Sequence, residues 1–119
     1  MNSYRDLVAW QHGVDAVAAV YAITKTFPKD ELYGLTNQTR RAAVSIPANI
    51  AEGHARDSTA EYLHHLAYAL GSLAELETHL TIAARLEYVS TDDAAPLFCR
   101  LDELGRILRG LQKSLRAKP

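Results

Sequence analysis

The sequence predicts an all-α protein, an antiparallel up-down-up-down four-helix bundle that residues 1–119 form as a single domain. Three observations lead to this prediction. Apolar residues recur at spacings of three and four in four segments, which is the period of an amphipathic helix. No segment of four or more residues alternates convincingly with period two, as a strand would. Loops of roughly four to ten residues separate the segments, as between antiparallel neighbours. A chain of 119 residues, 48% of them apolar, has the size of one typical domain.

The first two helices are predicted on either side of Phe27-Pro28. Proline ends the first helix, because the residue before a proline is pushed out of the α region. The first apolar face comprises Leu7, Trp10, Val14, Val17 and Tyr21. The second helix is expected to begin with Thr36 as its N-cap and to end at Gly53. The second apolar face comprises Leu35, Thr39, Ala42, Ile46 and Ile50.

The last two helices have clear start signals. Ser58 and Glu61 form a capping-box pattern, in which each side chain satisfies a backbone donor of the first turn. The third apolar face comprises Leu63, Leu66, Leu70, Leu73, Glu77, Leu80 and Ala84. The fourth helix is predicted to begin near Ser90, with Asp92 and Asp93 at the positive end of its dipole. Its apolar face is six leucines at strict three-four spacing, Leu97, Leu101, Leu104, Leu108, Leu111 and Leu115.

Pro47 lies inside the second helix and is predicted to kink it, because a proline there removes the hydrogen bond to the carbonyl of Ala43. The small residues around Pro47 let a neighbouring helix come close. Either the kink is simply tolerated, or the bend shapes an interface between subunits.

Polar residues run beside the apolar faces of the second and third helices. Solvated helix faces look like this, but serine and asparagine among alanines also suggest partly buried polar pairing, which would fix one register or one partner. Glu77, on the apolar face itself, points the same way. We therefore hypothesise a polar network, within or between subunits, made of Gln38, Arg41, Asn49, Glu52, Glu75 and Glu77.

Three stretches of the sequence resemble a known family: YRDLVAWQ, FPKDELYGLTNQTRRAAVSIPANIAEG and GSLAELETHL. The family comprises small four-helix-bundle proteins encoded in intervening sequences of bacterial 23S rRNA genes. The resemblance runs from about Tyr4 to Leu115 and is most specific in SIPANIAEG and GSLAELE. The matching positions are Trp10, Gln11, Pro28, Gly34, Leu35, Gln38, Arg41, Ser45, Ile46, Pro47, Asn49, Ile50, Glu52, Gly53, Gly71, Ser72, Glu75 and Glu77.

The resemblance implies a left-handed bundle that assembles into a ring, typically of five subunits. None of the matching positions is a known catalytic residue in the family. A related branch is the accessory subunit of the reverse transcriptase of diversity-generating retroelements, where a basic ring surface contacts RNA and the polymerase. This chain departs from that branch, because its net charge is −1. Thr39 also stands where a larger apolar residue is usual in the family.

No cofactor, metal site or catalytic set is predicted. A di-metal bundle enzyme needs Glu-x-x-His on two helices and a glutamate from each of the other two, and the chain supplies that spacing once, at Glu61 and His64. The neighbouring His65 points about 100° away from His64 on a helix. Cys99, the only cysteine, cannot form an intrachain disulfide.

The strongest indication of a binding partner is a row of basic residues on the last predicted helix. Arg106, Arg109, Lys113 and Arg116 repeat at three and four along the last helix, and Arg40 and Arg41 add a second pair. Such residues either form a solvated face that complements the helix dipole or bind phosphates. Because no aromatic residues accompany them, RNA binding would be to the backbone.

These features predict a non-enzymatic homo-oligomer, a ring pentamer by resemblance, that acts as a scaffold or adaptor for structured RNA or for an RNA-handling protein. An assembly without a nucleic-acid partner is the alternative, and a metal-dependent enzyme comes third. The start of the chain lacks the pattern of a signal peptide and no apolar run is long enough to span a membrane, which predicts a cytoplasmic protein with no membrane partner.

Overall fold

The computed structural model describes residues 3–118, which form four α-helices and no strand. The helices are α1 (Val8–Thr24), α2 (Leu35–His54), α3 (Thr59–Arg85) and α4 (Thr91–Ala117), with short 3₁₀ turns at Tyr4–Asp6 and Lys29–Glu31. This confirms the predicted all-α class. The described part of the chain contains no helix that is both long and apolar enough to cross a membrane.

The helices form a bundle in which each one packs against two neighbours. The contacting pairs are α1–α2, α2–α3, α3–α4 and α4–α1, whereas the diagonal pairs do not pack against each other within residues 3–118. Gly13 meets Pro47, and Thr24 meets Arg40. A later residue of α1 thus contacts an earlier residue of α2, so these two helices are antiparallel. α2 and α3 are antiparallel as well, because Ser45 meets Ser72 while Asn49, further along α2, meets His65, earlier on α3. The α1–α2 and α3–α4 pairs therefore form opposite sides of the bundle.

α4 supplies the most regular part of the core. Five of its six predicted leucines are buried and Leu111 is half-buried, which confirms that face. The hydroxyl of Ser90 accepts a hydrogen bond from the backbone N–H of Asp93 (3.0 Å), and Ser58 accepts one from Glu61 at the start of α3 (3.3 Å). The predicted helix starts are thus confirmed, but only the serine half of the Ser58–Glu61 capping box forms, since the Glu61 carboxylate makes no hydrogen bond to the backbone N–H of Ser58 within residues 3–118.

The predicted face of α1 is only partly correct. Leu7 is buried and Trp10 and Val17 pack against the core, but small residues occupy the rest of the core side. Ala9, Gly13, Ala16 and Val20 are buried there. A Cβ at Gly13 would lie 3.2 Å from the Cβ of Pro47, so the absence of a side chain lets α1 lie close to α2. Two of the larger residues of the predicted face, Val14 and Tyr21, are 40% and 42% exposed.

The face of α3 is turned slightly from its predicted position. Leu66, Leu73 and Leu80 are buried as expected, but Leu76 and Ala83 are fully buried as well. The other predicted members, Leu63, Leu70, Glu77 and Ala84, are half-buried. α3 packs against both α2 and α4, so its buried surface is wider than a single three-four line.

The start of α2 differs from the prediction. Gly34 occupies the N-cap position, and Thr36 is buried inside the first turn. The capping acceptor comes from the preceding 3₁₀ turn: Oε1 of Glu31 accepts a hydrogen bond from the N–H of Leu35 (3.1 Å), and Oε2 accepts one from the Tyr88 hydroxyl (2.9 Å). One carboxylate therefore ties the α1–α2 loop to α2 and to the α3–α4 loop.

We expect Glu31→Gln to make the stability of the protein less dependent on acid pH. The hydrogen bonds from Leu35 and Tyr88 hold the pKa of Glu31 below its ordinary value of 4.5. This contribution is present above the ordinary pKa and is lost as the pH falls through the lower folded value. Urea unfolding should therefore show a less stable variant at about pH 7 and a shrinking difference below about pH 4. Asp30→Asn is the control, since Asp30 makes no side-chain hydrogen bond within residues 3–118. An equal effect of both variants at both pH values would contradict this role of Glu31.

α2 ends at His54, one residue beyond the predicted end at Gly53, so Gly53 is a helical residue of the last turn rather than a C-terminal stop. Gly53 is also buried. A Cβ at Gly53 would lie 2.7 Å from the Cβ of His65 and 3.3 Å from the carbonyl oxygen of Tyr62. The glycine therefore permits close packing of α2 on α3.

We expect Gly53→Ala to destabilise the protein by about 1–3 kcal/mol, since the added methyl group must displace the backbone of one helix. Gly71→Ala is the matched control. Gly71 is also helical, but a Cβ there meets nothing within 4 Å. Alanine should stabilise that position by up to about 1 kcal/mol. Urea unfolding of both variants measures the difference, and a stabilised Gly53→Ala protein would contradict the packing argument.

Candidate functional site

An exposed apolar surface covers the α1–α2 side of the bundle. We call it the α1–α2 face and define it by Trp10, Val14, Val17, Tyr21 and Val44. Trp10 and Val17 are half-buried, and Val44 is 42% exposed, like Tyr21. Most of the face is the apolar pattern that we expected in the core. α1 therefore carries apolar residues on two sides, and Asp15 is its only aspartate, glutamate, lysine or arginine. The exposed apolar residues of α1 give a surface that another chain can cover.

Arg40 is fixed against the α1–α2 face. Its guanidinium carbon lies 4.6 Å from the centre of the Tyr21 ring, and its Nε donates a hydrogen bond to Oγ1 of Thr24 (2.8 Å). This cation–π contact and hydrogen bond hold the side chain in a half-buried position. Arg41, the next residue, is exposed. The two arginines thus have different surroundings.

A polar cluster joins α2 to α3 on the next side of the bundle. The hydroxyls of Ser45 and Ser72 are 2.8 Å apart. Nδ2 of Asn49 donates to the carbonyl oxygen and to Oγ of Ser45, at 2.9 and 3.0 Å. Oδ1 of Asn49 lies 3.1 Å from Nδ1 of His65. Because an amide oxygen can only accept, Nδ1 of His65 carries the proton in this arrangement. The cluster therefore fixes the register of the two helices and the tautomer of His65.

The six residues of the hypothesised polar network are spread along the bundle within one subunit. Only Asn49 belongs to the cluster. Gln38 and Arg41 are exposed and make no side-chain hydrogen bond within residues 3–118. Glu52 pairs with Arg56 at 3.0 Å on the surface. A network between subunits stays a prediction.

Glu75 and Glu77 point to different sides of α3. Oε2 of Glu75 lies 3.8 Å from Nε2 of His79, whose Nδ1 is buried without a hydrogen-bond partner in the described chain. Glu77 faces α4 in a hollow of about 220 Å³ beside Asp102 and Arg109. Burial raises the pKa of Glu77, the nearby Asp102 raises it further, and Arg109 opposes the rise.

Four basic residues in the last turns of α4 lie on one surface. We call Arg106, Arg109, Lys113 and Arg116 the basic stripe; all four are exposed. No acidic residue occurs after Glu103. Glu103 pairs with Arg106 at 2.8 Å, and this bond raises the pKa of the arginine. Arg109 lies beside Gly105 and Glu77, on the flank of α4 that faces α3. The stripe is therefore on the α3–α4 side.

The basic stripe and the Arg40–Arg41 pair lie at opposite ends of the bundle. Arg40 is near the start of α2 and contacts the end of α1, whereas the stripe occupies the last turns of α4. The particle is 49 Å long. The six basic residues predicted to contact a partner therefore form two separate groups, the stripe and the Arg40–Arg41 pair.

Potential metal-binding and nucleophilic residues are scattered. Glu61 and His64 are both exposed near the start of α3, and Cys99 is exposed on α4. Among residues 3–118, no three histidine, cysteine, aspartate or glutamate side chains converge as metal ligands would.

Comparisons with known proteins agree with this architecture. The family model described as 23S rRNA-intervening sequence protein matches residues 5–110. A crystal structure of a protein of unknown function, from the S23 ribosomal protein family of Bacteroides thetaiotaomicron VPI-5482, superposes with a TM-score of 0.82 at 22% identity and covers 89% of this chain and 99% of its own. No curated protein matches the chain. Because the family model spans nearly all four helices, the chain belongs to the family of 23S rRNA-intervening sequence proteins.

Proposed function

We propose that this protein is a non-enzymatic scaffold that assembles with copies of itself and holds structured RNA by the sugar-phosphate backbone. The observation that carries the proposal is the placement of two surfaces. The α1–α2 face is apolar, the basic stripe is on the α3–α4 side, and these sides are opposite each other. Assembly through the first surface therefore leaves the second exposed.

The α1–α2 face supports self-assembly. Val14, Tyr21 and Val44 each expose about two-fifths of their surface, and burying such side chains releases about 25 cal/mol for each Å² of apolar surface. In a ring, the α1–α2 face of every copy is buried in the same way, and the family resemblance implies five copies. Repetition of the basic stripe around a ring would place several cationic surfaces in one symmetric array.

The basic stripe supports binding to the RNA backbone. Its four residues extend over ten positions of α4, which is about 15 Å along the helix. Lys and Arg side chains on such a surface bind phosphates without reading the sequence. The stripe contains no aromatic residue on which a single-stranded base would stack. Structured RNA is therefore the preferred ligand.

The polar cluster supports the non-enzymatic part of the proposal. A histidine that activates a serine must hydrogen-bond to its hydroxyl. His65 instead hydrogen-bonds to the Asn49 amide, while Ser45 and Ser72 contact each other. These groups stabilise the α2–α3 contact.

The proposal is tested by anisotropy of a fluorescently labelled RNA hairpin as the salt concentration rises from about 50 to 200 mM. Since Arg106 is already paired with Glu103, three phosphate contacts are expected, which predict an affinity loss of about fortyfold over this range. A single-stranded RNA of the same length should bind more weakly. Absence of binding at about 50 mM salt would overturn the RNA part and leave an assembly without a nucleic-acid partner.

A further inference from the structure

The α1–α2 loop displays two exposed apolar side chains on a fixed backbone. Leu32 is 48% and Tyr33 is 90% exposed. The loop is held by the two hydrogen bonds of the Glu31 carboxylate, and the N–H of Gly34 donates to the carbonyl oxygen of Glu31 (2.9 Å). Because the loop is already ordered, a contact made by Tyr33 would cost little conformational entropy.

An apolar groove lies between the end of α1 and the start of α4. It encloses about 430 Å³. Its walls are mostly apolar and include Ala22, Ile23 and Leu97, and Thr26, Asp93 and Arg100 add polar groups at its border. The two charged residues are seven positions apart on α4, which is about 10 Å along the helix. The groove is open, so that a side chain could enter it from outside the subunit.

Loop and groove match in chemistry. Leu32 and Tyr33 are apolar with one hydroxyl, and the loop also carries Lys29 and Asp30. These two charges complement the Asp93 and Arg100 that border the groove. An apolar insertion with one basic and one acidic neighbour therefore meets an apolar groove with one acidic and one basic edge.

Loop and groove also match in position. Both lie at the end of the bundle where α1 ends and α2 and α4 begin. The loop leads to α2, however, whereas the groove is on the α4 side of α1, so the two surfaces are on different sides of one copy. A contact between copies that uses two different surfaces is heterologous, and such a contact builds a ring when the rotation between copies closes and an open filament when it does not.

We infer that Leu32 and Tyr33 of one copy insert into the α1–α4 groove of the next copy. The inference rests on the proposed self-assembly and names the two halves of its contact. The loop extends the α1–α2 face, since Tyr21 and Arg40 are close to the loop's two ends. One copy thus contributes the α1–α2 face with its loop, and the next contributes the groove.

The test uses two variants of the full chain, each of which removes one half of the contact. Leu32→Ser with Tyr33→Ser removes the inserted side chains, and Ala22→Trp fills the groove. Each variant should have the 13.1 kDa mass of one chain in light scattering at micromolar concentration. Their mixture should form a dimer of twice that mass, because the first variant keeps its groove and the second keeps its loop. Tyr68→Ser, at a tyrosine 60% exposed on α3, is the control and should keep the mass of the wild type.

Each outcome decides between the inference and the proposed function. If both variants keep the mass of an oligomeric wild type, the loop–groove contact is wrong while self-assembly stands. Monomeric variants that do not combine on mixing would also overturn the contact. A monomeric wild-type protein would overturn self-assembly and the contact together. Circular dichroism at 222 nm checks that all variants remain helical.

Discussion

Replacing Val14 and Val44 together by glutamate is expected to dissociate the protein into single 13.1 kDa chains without unfolding it. Both side chains lie on the α1–α2 face and are about two-fifths exposed, so a single subunit can leave the new carboxylates in water. In an assembly both carboxylates would lose water at a cost of several kcal/mol for a buried charge. α1 carries no lysine or arginine to pair with the one at position 14, whereas Arg40 and Arg41, one turn from position 44 on α2, could offset part of the cost there. Light scattering at micromolar concentration measures the mass, and circular dichroism measures the helix content.

Ile82→Glu with Leu86→Glu is the matched control for this prediction. These residues are 42% and 51% exposed on α3 and just beyond it, so the change in charge is equal and the exposure is similar. The control should keep the wild-type mass. If the α3 control dissociates while the Val14 and Val44 variant stays assembled, the α1–α2 face is not the interface.

Changing Arg109, Lys113 and Arg116 to glutamate is expected to abolish most RNA binding while the mass stays that of the wild type. Arg106 is left in place, because it is already paired with Glu103. Each removed phosphate contact should reduce the slope of log affinity against log salt by about one, so the slope should fall by about three. Anisotropy with the labelled hairpin measures both the affinity and the slope.

A second variant, with three basic residues at the other end of the bundle changed to glutamate, controls for the change in overall charge. Lys25, Arg41 and Arg85 are exposed on three different helices or their ends, and their change to glutamate alters the net charge equally. The slope of this variant should remain near that of the wild type. Equal losses in both variants would mean that RNA binding is not localised on α4.

The core face and the basic face of α4 could be predicted from the sequence, because the three-four spacing of residues on a helix is enough to define both. Its leucines and its basic residues each repeat at three and four on a single helix, so the opposite faces follow without knowledge of any other helix. The caps at Ser58 and Ser90 are equally local, since donor and acceptor lie three residues apart.

α1 could not be predicted in this way, because both of its sides are apolar. The larger residues, such as Val14 and Tyr21, suggested a core face, but close packing at Gly13 against Pro47 requires the small residues inside. Which apolar side faces the core depends on the distance between two helices, and a single segment does not contain that distance.

The contacts between helices also could not be predicted from the sequence. The polar lines on α2 and α3 suggested pairing, but the bond between Asn49 and His65 depends on the register of the two helices. That register depends in turn on the close approach at Gly53, which we expected to end α2. The groove beside Ala22 and the exposed position of Tyr33 likewise arise only from the assembled bundle.

The most direct test of self-assembly through the α1–α2 face is the mass of the wild-type protein in solution. Light scattering coupled to size-exclusion chromatography should be run at micromolar concentration. We predict a particle of about five times the 13.1 kDa chain mass that the Val14 and Val44 variant reduces to a single chain. A wild-type particle of 13.1 kDa would contradict the account, because the apolar face would then be exposed in the working protein.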